Sequence, residues 1–155
     1  MTRRQKEQLL NYLLSFATEN KRDLIEKRLQ DRTRHITVVM EDIYQSQNAS
    51  AVLRTSDCFG IQDVHVIENR NSYEINPKVV HGASKWIDIH RYSRKKDNTS
   101  ECLEYLRSEG YRIIATSPHS QSVSLHELEI SQPFALLFGT ERRGLYTKEI
   151  SLADE

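Results

Sequence analysis

The sequence is poor in the residues that mark specialised chains. Its 155 residues include two cysteines, Cys58 and Cys102. Two are too few for a disulfide framework or a four-ligand zinc site. A reducing, cytoplasmic setting is therefore the default expectation. Five glycines and three prolines exclude a collagen-like or low-complexity chain. The longest apolar runs, such as residues 134–138, fall far short of the ~20 residues of a membrane span. The first ten residues, MTRRQKEQLL, lack the apolar core of a secretory signal. No glycine-rich phosphate loop, dinucleotide fingerprint, C-x-x-C, H-E-x-x-H or G-x-S-x-G motif is present. The six histidines are scattered without ligand spacing, so no metal is expected.

What remains is a chain able to bury a core. Apolar residues make up 37% and charged residues 28%, a polar but globular balance. A domain of this length hides ~68–70% of its unfolded surface. The net charge is zero, but it is unevenly spread. Residues 1–35 hold nine Lys/Arg against five Asp/Glu; the other 120 hold 13 against 17. A basic arm on a mildly acidic body is an arrangement that suits a nucleic-acid partner. Arg3, Arg4, Arg22, Arg28 and Arg34 are then candidate phosphate contacts, although solvated helix faces look the same by composition.

The apolar pattern divides the chain in two. Leu9, Leu10, Leu13, Leu14 and Ala17 follow helical spacing, and Leu24, Ile25 and Leu29 suggest a second helix. Residues 1–35 are expected to form a basic helical extension. From Ile36 onward, runs at 36–40, 64–67, 86–90, 112–116 and 134–138 read as strands. Residues 49–59, 99–108 and 147–152 read as helices, with Gly60 and Gly110 as terminators and Thr147 as a cap. Alternation of this kind implies an α/β fold, a mostly parallel sheet with helices on both faces. Ligands of such sheets bind beyond the carboxyl ends of the strands. The segments to inspect are 41–48, 69–85, 117–122 and 139–144.

Three of these carry chemistry. On a helix, Ala49, Val52, Leu53, Ser56 and Phe59 form one stripe, and Arg54 lies about 160° from its centre. Asn48 falls at or just before the expected N-cap. In the second segment, Ser84 and Lys85 can hold a phosphate and Trp86 can be core. In the third, an apolar strand runs into Gly139-Thr140-Glu141-Arg142-Arg143-Gly144, where glycines allow close backbone approach to a ligand. Each has a plain structural reading as well: a capped helix, a turn, a strand-to-helix connection.

Taken together, the segments resemble the SPOUT (SpoU-type) RNA ribose 2′-O-methyltransferases. The resemblance is greatest to the branch acting on guanosine 18 of the tRNA D-loop. One family motif is matched by Asn48-Ala-Ser-Ala-Val-Leu-Arg54-Thr55, running on to Phe59-Gly60. A second is matched by Leu137-Phe138-Gly139-Thr140-Glu141-Arg142-Arg143-Gly144-Leu145. Gly82-Ala83-Ser84-Lys85-Trp86 and Ile113-Ile114-Ala115-Thr116 resemble further family segments.

The resemblance covers residues 36–155. It implies a SPOUT methyltransferase domain, a trefoil knot when complete, a homodimer, S-adenosylmethionine as cofactor and tRNA as partner. A ribosomal RNA substrate, or a non-catalytic RNA-binding or dimerisation module, is the alternative. Arg54 is implied to be catalytic, with Asn48 and Glu141 beside it. Thr116, Leu137, Phe138, Gly139 and Gly144 would meet the cofactor, and Ser84 and Lys85 the RNA. The family's third motif, Ile-Pro-Met followed by Ser-Leu-Asn, is not reached, so the domain is expected to be C-terminally incomplete.

Overall fold

The β-branched and aliphatic runs become five strands whose side chains alternate between two apolar layers. The computed structural model describes residues 1–118 and 123–155. Positions 119–122 of the expected site segment thus lie outside the described residues. The chain forms two compact units, residues 1–32 and residues 33–155.

In the second unit, β1 (Ile36–Glu41), β2 (Asp63–Ile67), β3 (Asp88–Tyr92), β4 (Arg112–Ala115) and β5 (Phe134–Phe138) form one sheet. The strand order is β3-β2-β1-β5-β4, and every pairing is parallel. One core layer packs Val38, Met40, Val64 and Val66 against Ala49 and Leu53 of α3 (Ser46–Cys58) and Val80 of α4 (Pro77–Val80). The other packs Val39, Ile67, Ala135 and Leu137 against Cys102, Leu103 and Leu106 of α5 (Asn98–Ser108). Helices therefore cover both faces, as strands buried on both sides require. The outer edge of β4 is closed by residues 154–155, with Ala115 N–H donating to the Glu155 carbonyl at 2.7 Å. A short helix, α6 (Thr147–Ser151), follows the loop after β5.

Several boundaries differ from the sequence pattern, each for a local reason. The third strand starts at Asp88, because Trp86 closes a 3-10 turn over Ala83–Lys85. Trp86 is 36% exposed rather than core. Helix α3 starts at Ser46, so Asn48 lies inside its first turn and Gln45 is the N-cap, without a side-chain cap of its own. Phe59 leaves the apolar stripe: it sits at the helix C-cap and is exposed. Gly60 then takes the left-handed φ of 71° that ends the helix. Tyr146, not Thr147, precedes α6.

The first unit consists of α1 (Arg3–Ser15) and α2 (Glu19–Gln30). Thr2 and Gln5 form a reciprocal capping box on α1, and the Thr18 hydroxyl accepts from Lys21 N–H on α2. Neither helix buries a residue; Leu9, Leu13, Phe16, Leu24 and Leu29 are exposed.

Candidate active site

The strand order places a switch point between β1 and β5. From β1 the chain moves outward to β2 and β3, whereas β4 and β5 fill the other side of the sheet. The loops beyond the carboxyl ends of β1 and β5 therefore face each other, where open α/β sheets hold ligands.

Glu141, on the loop after β5, joins the two. One carboxylate oxygen accepts from Tyr44 N–H at 3.1 Å. The other accepts from Gln45 N–H at 3.0 Å and from the Asn48 side-chain amide at 3.0 Å. The carboxylate thus anchors the two residues that lead into α3 and the Asn48 side chain, close to the positive end of the helix. Burial alone would raise the Glu141 pKa, but the backbone donors and the Asn48 amide outweigh it and hold the group below its ordinary value.

Gly139 makes this loop possible. A Cβ there would lie 2.3–2.4 Å from the backbone of Gly144 and Leu145. Thr140 and Gly144 exchange backbone hydrogen bonds at 3.1 and 2.8 Å, and Gly144 has a left-handed φ of 68°. The close approach expected of these glycines is thus made within the loop itself.

Glu141 borders two cavities, and a third lies beside the residues it binds. One of about 330 Å³ is bordered by Thr116, Ser117, Pro118, residues 140–145 and Ile150. A small one of about 170 Å³ lies between the Tyr44–Gln45 backbone and residues 140–143. The third, about 640 Å³, opens at the head of α3 against the loop after β2.

The other expected residues distribute unevenly. Thr116 and Gly144 border the 330 Å³ cavity, although Thr116 N–H and hydroxyl both donate to the Leu137 carbonyl at 3.0 Å. Leu137 is a fully buried core side chain and Phe138 packs against the opposite layer. Their side chains are therefore structural, and neither borders that cavity. Arg54 is exposed and forms no ion pair among the described residues. Six residues beyond Asn48, it lies about 120° around α3 and about 9 Å along it, apart from the Glu141 cluster.

Ser84 and Lys85 immediately precede β3, toward the amino ends of the strands. Arg34 also lies at that edge, paired with Asp63 at the start of β2 and with Asp88 at the start of β3. It belongs to the second unit and ties three strands together, so its guanidinium is already engaged. Arg3 pairs with Glu7 on the surface of α1; Arg4, Arg22 and Arg28 are exposed on α1 and α2.

Sequence reasoning missed a polar cluster at the ends of β1 and β2. Glu41 is buried; its Oε1 accepts from the Thr99 hydroxyl at 2.6 Å and the Asn69 amide at 3.1 Å. Burial pushes the Glu41 pKa up to about 7, offset in part by the Thr99 hydrogen bond and reinforced by Glu149. Asp42, also buried, has a left-handed φ of 51° and accepts three backbone N–H groups from residues 69–71. An Asp after a strand, a residue type that tolerates this backbone region, was the available signal. Among the described residues, no cluster of three or more His, Cys, Asp or Glu is arranged to hold a metal, and no helix is long and apolar enough to cross a membrane.

Comparison with known proteins agrees with the fold. Residues 35–155 match the SpoU rRNA Methylase family. The tRNA (guanosine(18)-2′-O)-methyltransferase of Borreliella burgdorferi is 43% identical over 145 residues, 94% of this chain and 65% of that protein. The protein of the same name from Thermus thermophilus is 29% identical over 137 residues, 88% of this chain and 69% of that protein. The chain thus spans about two thirds of these relatives. The crystal structure of the Aquifex aeolicus TrmH/SpoU tRNA modifying enzyme superposes with a TM-score of 0.71 at 25% identity, covering 85% of this chain and 69% of that one. The SpoU methyltransferase AviRb of Streptomyces viridochromogenes, solved with AdoMet, shares the fold at a TM-score of 0.65 and 21% identity, over 83% of this chain and 49% of that one. With the matched region taking in the whole sheet and both loops that Glu141 joins, the chain belongs to the SpoU rRNA Methylase family.

Proposed function

We propose that the protein transfers a methyl group from S-adenosylmethionine to a ribose 2′-hydroxyl of structured RNA, with guanosine 18 of the tRNA D-loop as its target. The observation that carries this reading is the Glu141 carboxylate bound to the first turn of α3, which brings the two motif segments together in space. The target follows the names of the relatives at 43% and 29% identity. A homodimer working in the cytoplasm is part of the same reading and rests on the family resemblance.

The cavity beside Thr116 fits the cofactor in kind. It lies at the carboxyl ends of β4 and β5, and its wall combines loop backbone with the apolar side chains of Leu145 and Ile150. Its size falls within the usual range of ligand pockets. S-adenosylmethionine supplies a methyl group on a positively charged sulfur. The residues of the chain must orient the hydroxyl, exclude water and manage its charge.

Asn48 donates through Nδ2 to Glu141, which leaves its Oδ1 to accept a hydrogen bond from the 2′-hydroxyl and orient the oxygen. During transfer that oxygen gains a methyl group and loses its proton to solvent or an adjoining phosphate. Arg54 is a poor base, because a guanidinium keeps its proton under ordinary conditions. Its part is electrostatic: a bidentate hold on a phosphate next to the ribose, which also stabilises negative charge developing on the oxygen. The test is methyl transfer by the full-length protein to tRNA and rRNA transcripts, with the modified position mapped. Incorporation at guanosine 18 is expected, and Arg54→Ala should abolish it while lowering RNA affinity by no more than the roughly tenfold of one charge-assisted phosphate contact. Near-normal turnover by Arg54→Ala would sink the assignment, and incorporation into rRNA alone would move the substrate.

A further inference from the structure

We propose that Arg70 is a second RNA-backbone contact of this site, taking a phosphate near the target ribose, and that Asp42 and Tyr146 hold it in place. The proposal rests on the reading above and names a residue that neither the motifs nor the relatives assign. Arg70 is the only cation among the described residues that border the 640 Å³ cavity at the head of α3. That cavity includes Tyr44 and Gln45, the residues whose N–H groups Glu141 binds. Arg54 does not border it.

The backbone of Arg70 is fixed from beneath. Asp42 Oδ1 accepts the N–H groups of Asn69, Arg70 and Asn71 at 2.8, 2.8 and 3.3 Å, and the Asn71 amide donates back to the Asp42 carbonyl at 2.8 Å. The Asn69 amide is held in turn by Glu41 and by Thr99. The side chain is fixed from the other loop. Its guanidinium lies over the Tyr146 ring, 4.4 Å from the centroid, and donates to the Tyr146 hydroxyl.

This anchoring differs from that of three other arginines of the unit. Arg34, Arg91 and Arg107 are each paired with a carboxylate, which spends their charge. Arg70 is immobilised by a neutral phenol and an aromatic face, which orient a guanidinium while leaving its charge available. Glu74 borders the same cavity but forms no ion pair with Arg70. A preset, uncompensated guanidinium facing a polar cavity is built for an anion. The phosphodiester is the anion that fits: this cavity opens on the β1–β2 side, whereas the cavity suited to the cofactor lies at β4 and β5.

The test uses full-length protein, a tRNA transcript titrated across a salt series, and S-adenosylmethionine titrated by calorimetry. Arg70→Ala should weaken RNA binding about tenfold or more, the scale of one charge-assisted contact. It should also reduce the slope of log affinity against log salt by roughly 0.7–0.9, the share of one phosphate. Cofactor affinity should be unchanged. Asp42→Ala should reproduce the RNA defect, and Asp42→Asn should restore binding, because Asn keeps the Oδ1 acceptor and tolerates positive φ. Unchanged RNA affinity and salt slope in Arg70→Ala overturn the proposal while leaving the methyltransferase reading intact. Lost cofactor affinity with intact RNA binding overturns it too, assigning Arg70 to the cofactor's carboxylate. A wild-type protein that neither binds nor methylates RNA refutes both.

Discussion

Replacing Glu41 with Gln should change how stability depends on pH, and the structure sets both the sign and the size. Glu41 is 5% exposed, and burial raises its pKa from 4.5 to about 7. Between those values the native state binds a proton that the unfolded chain has lost, so stability falls as pH rises. A shift of this size corresponds to about 3 kcal/mol. His65 acts in the opposite direction. It is buried under α5, stacked on His90 at 4.6 Å, with Nδ1 3.0 Å from the Tyr92 hydroxyl and Tyr105 beside it. Burial, then the charge of His90, lowers its pKa from 6.5 to about 4, against the opposing pull of Asp63. Its native state is the proton-poor one, so stability rises with pH through that window, again by about 3 kcal/mol.

The two slopes oppose each other where the windows overlap, and the wild-type profile should be nearly level from about pH 4.5 to 6.5. Glu41→Gln removes one slope. Its unfolding free energy should climb by about 3 kcal/mol from pH 4 to 6.5. His65→Gln should show the reverse, a fall of similar size from about pH 4.5 to 7. Oε2 of Glu41 has no hydrogen-bond partner, so Glu41→Gln breaks no bond there, and any cost of seating the new amide nitrogen shifts the whole curve without tilting it. Urea denaturation at a series of pH values reads both effects. A Glu41→Gln profile that keeps the wild-type shape would refute the reasoning.

Gly139→Ala forces a Cβ against the Gly144–Leu145 backbone at 2.3–2.4 Å; calorimetry should show loss of cofactor affinity together with a stability loss of about 1–3 kcal/mol. Leu53→Ala, at a fully buried site under the sheet, should cost about 2–5 kcal/mol in denaturant melts. Arg34→Ala should lower stability by about 1 kcal/mol, since Asp63 retains His90; an RNA salt slope that changed would contradict its structural role. Glu141→Ala releases the first turn of α3 and Asn48, and single-turnover methyl transfer should slow by about a hundredfold, the scale of a misplaced reacting group.

The alternation of β-branched runs with 3.6-residue periodicity makes the sheet, its helices and their order legible in the sequence. Residues 134–138 are a strand in both readings, because an apolar run buried on both faces has little other outcome. Boundaries are less legible where a neighbour decides them. The chain leading into α3 is held by a carboxylate from Glu141, 96 residues away from Gln45 in the chain. Trp86 reads as core by residue type, yet it closes a short turn and stays partly exposed. Leu137 and Phe138 lie within a recognisable motif, but period-2 alternation sends their side chains into opposite core layers.

Local sequence by itself determined which segments are strands and helices and which loops hold the motif residues, because backbone preference and apolar periodicity act over a few residues. Only the tertiary structure decided what those loops do together. It put Glu141 against Asn48, left Arg54 apart from them, committed Arg34 to Asp63 and Asp88, and brought Asp42 and Tyr146 to Arg70. These contacts join residues between 28 and 93 positions apart. They exist because the parallel order β3-β2-β1-β5-β4 gathers the carboxyl ends of β1, β2 and β5 at one edge of the sheet and the amino ends of the strands at the other.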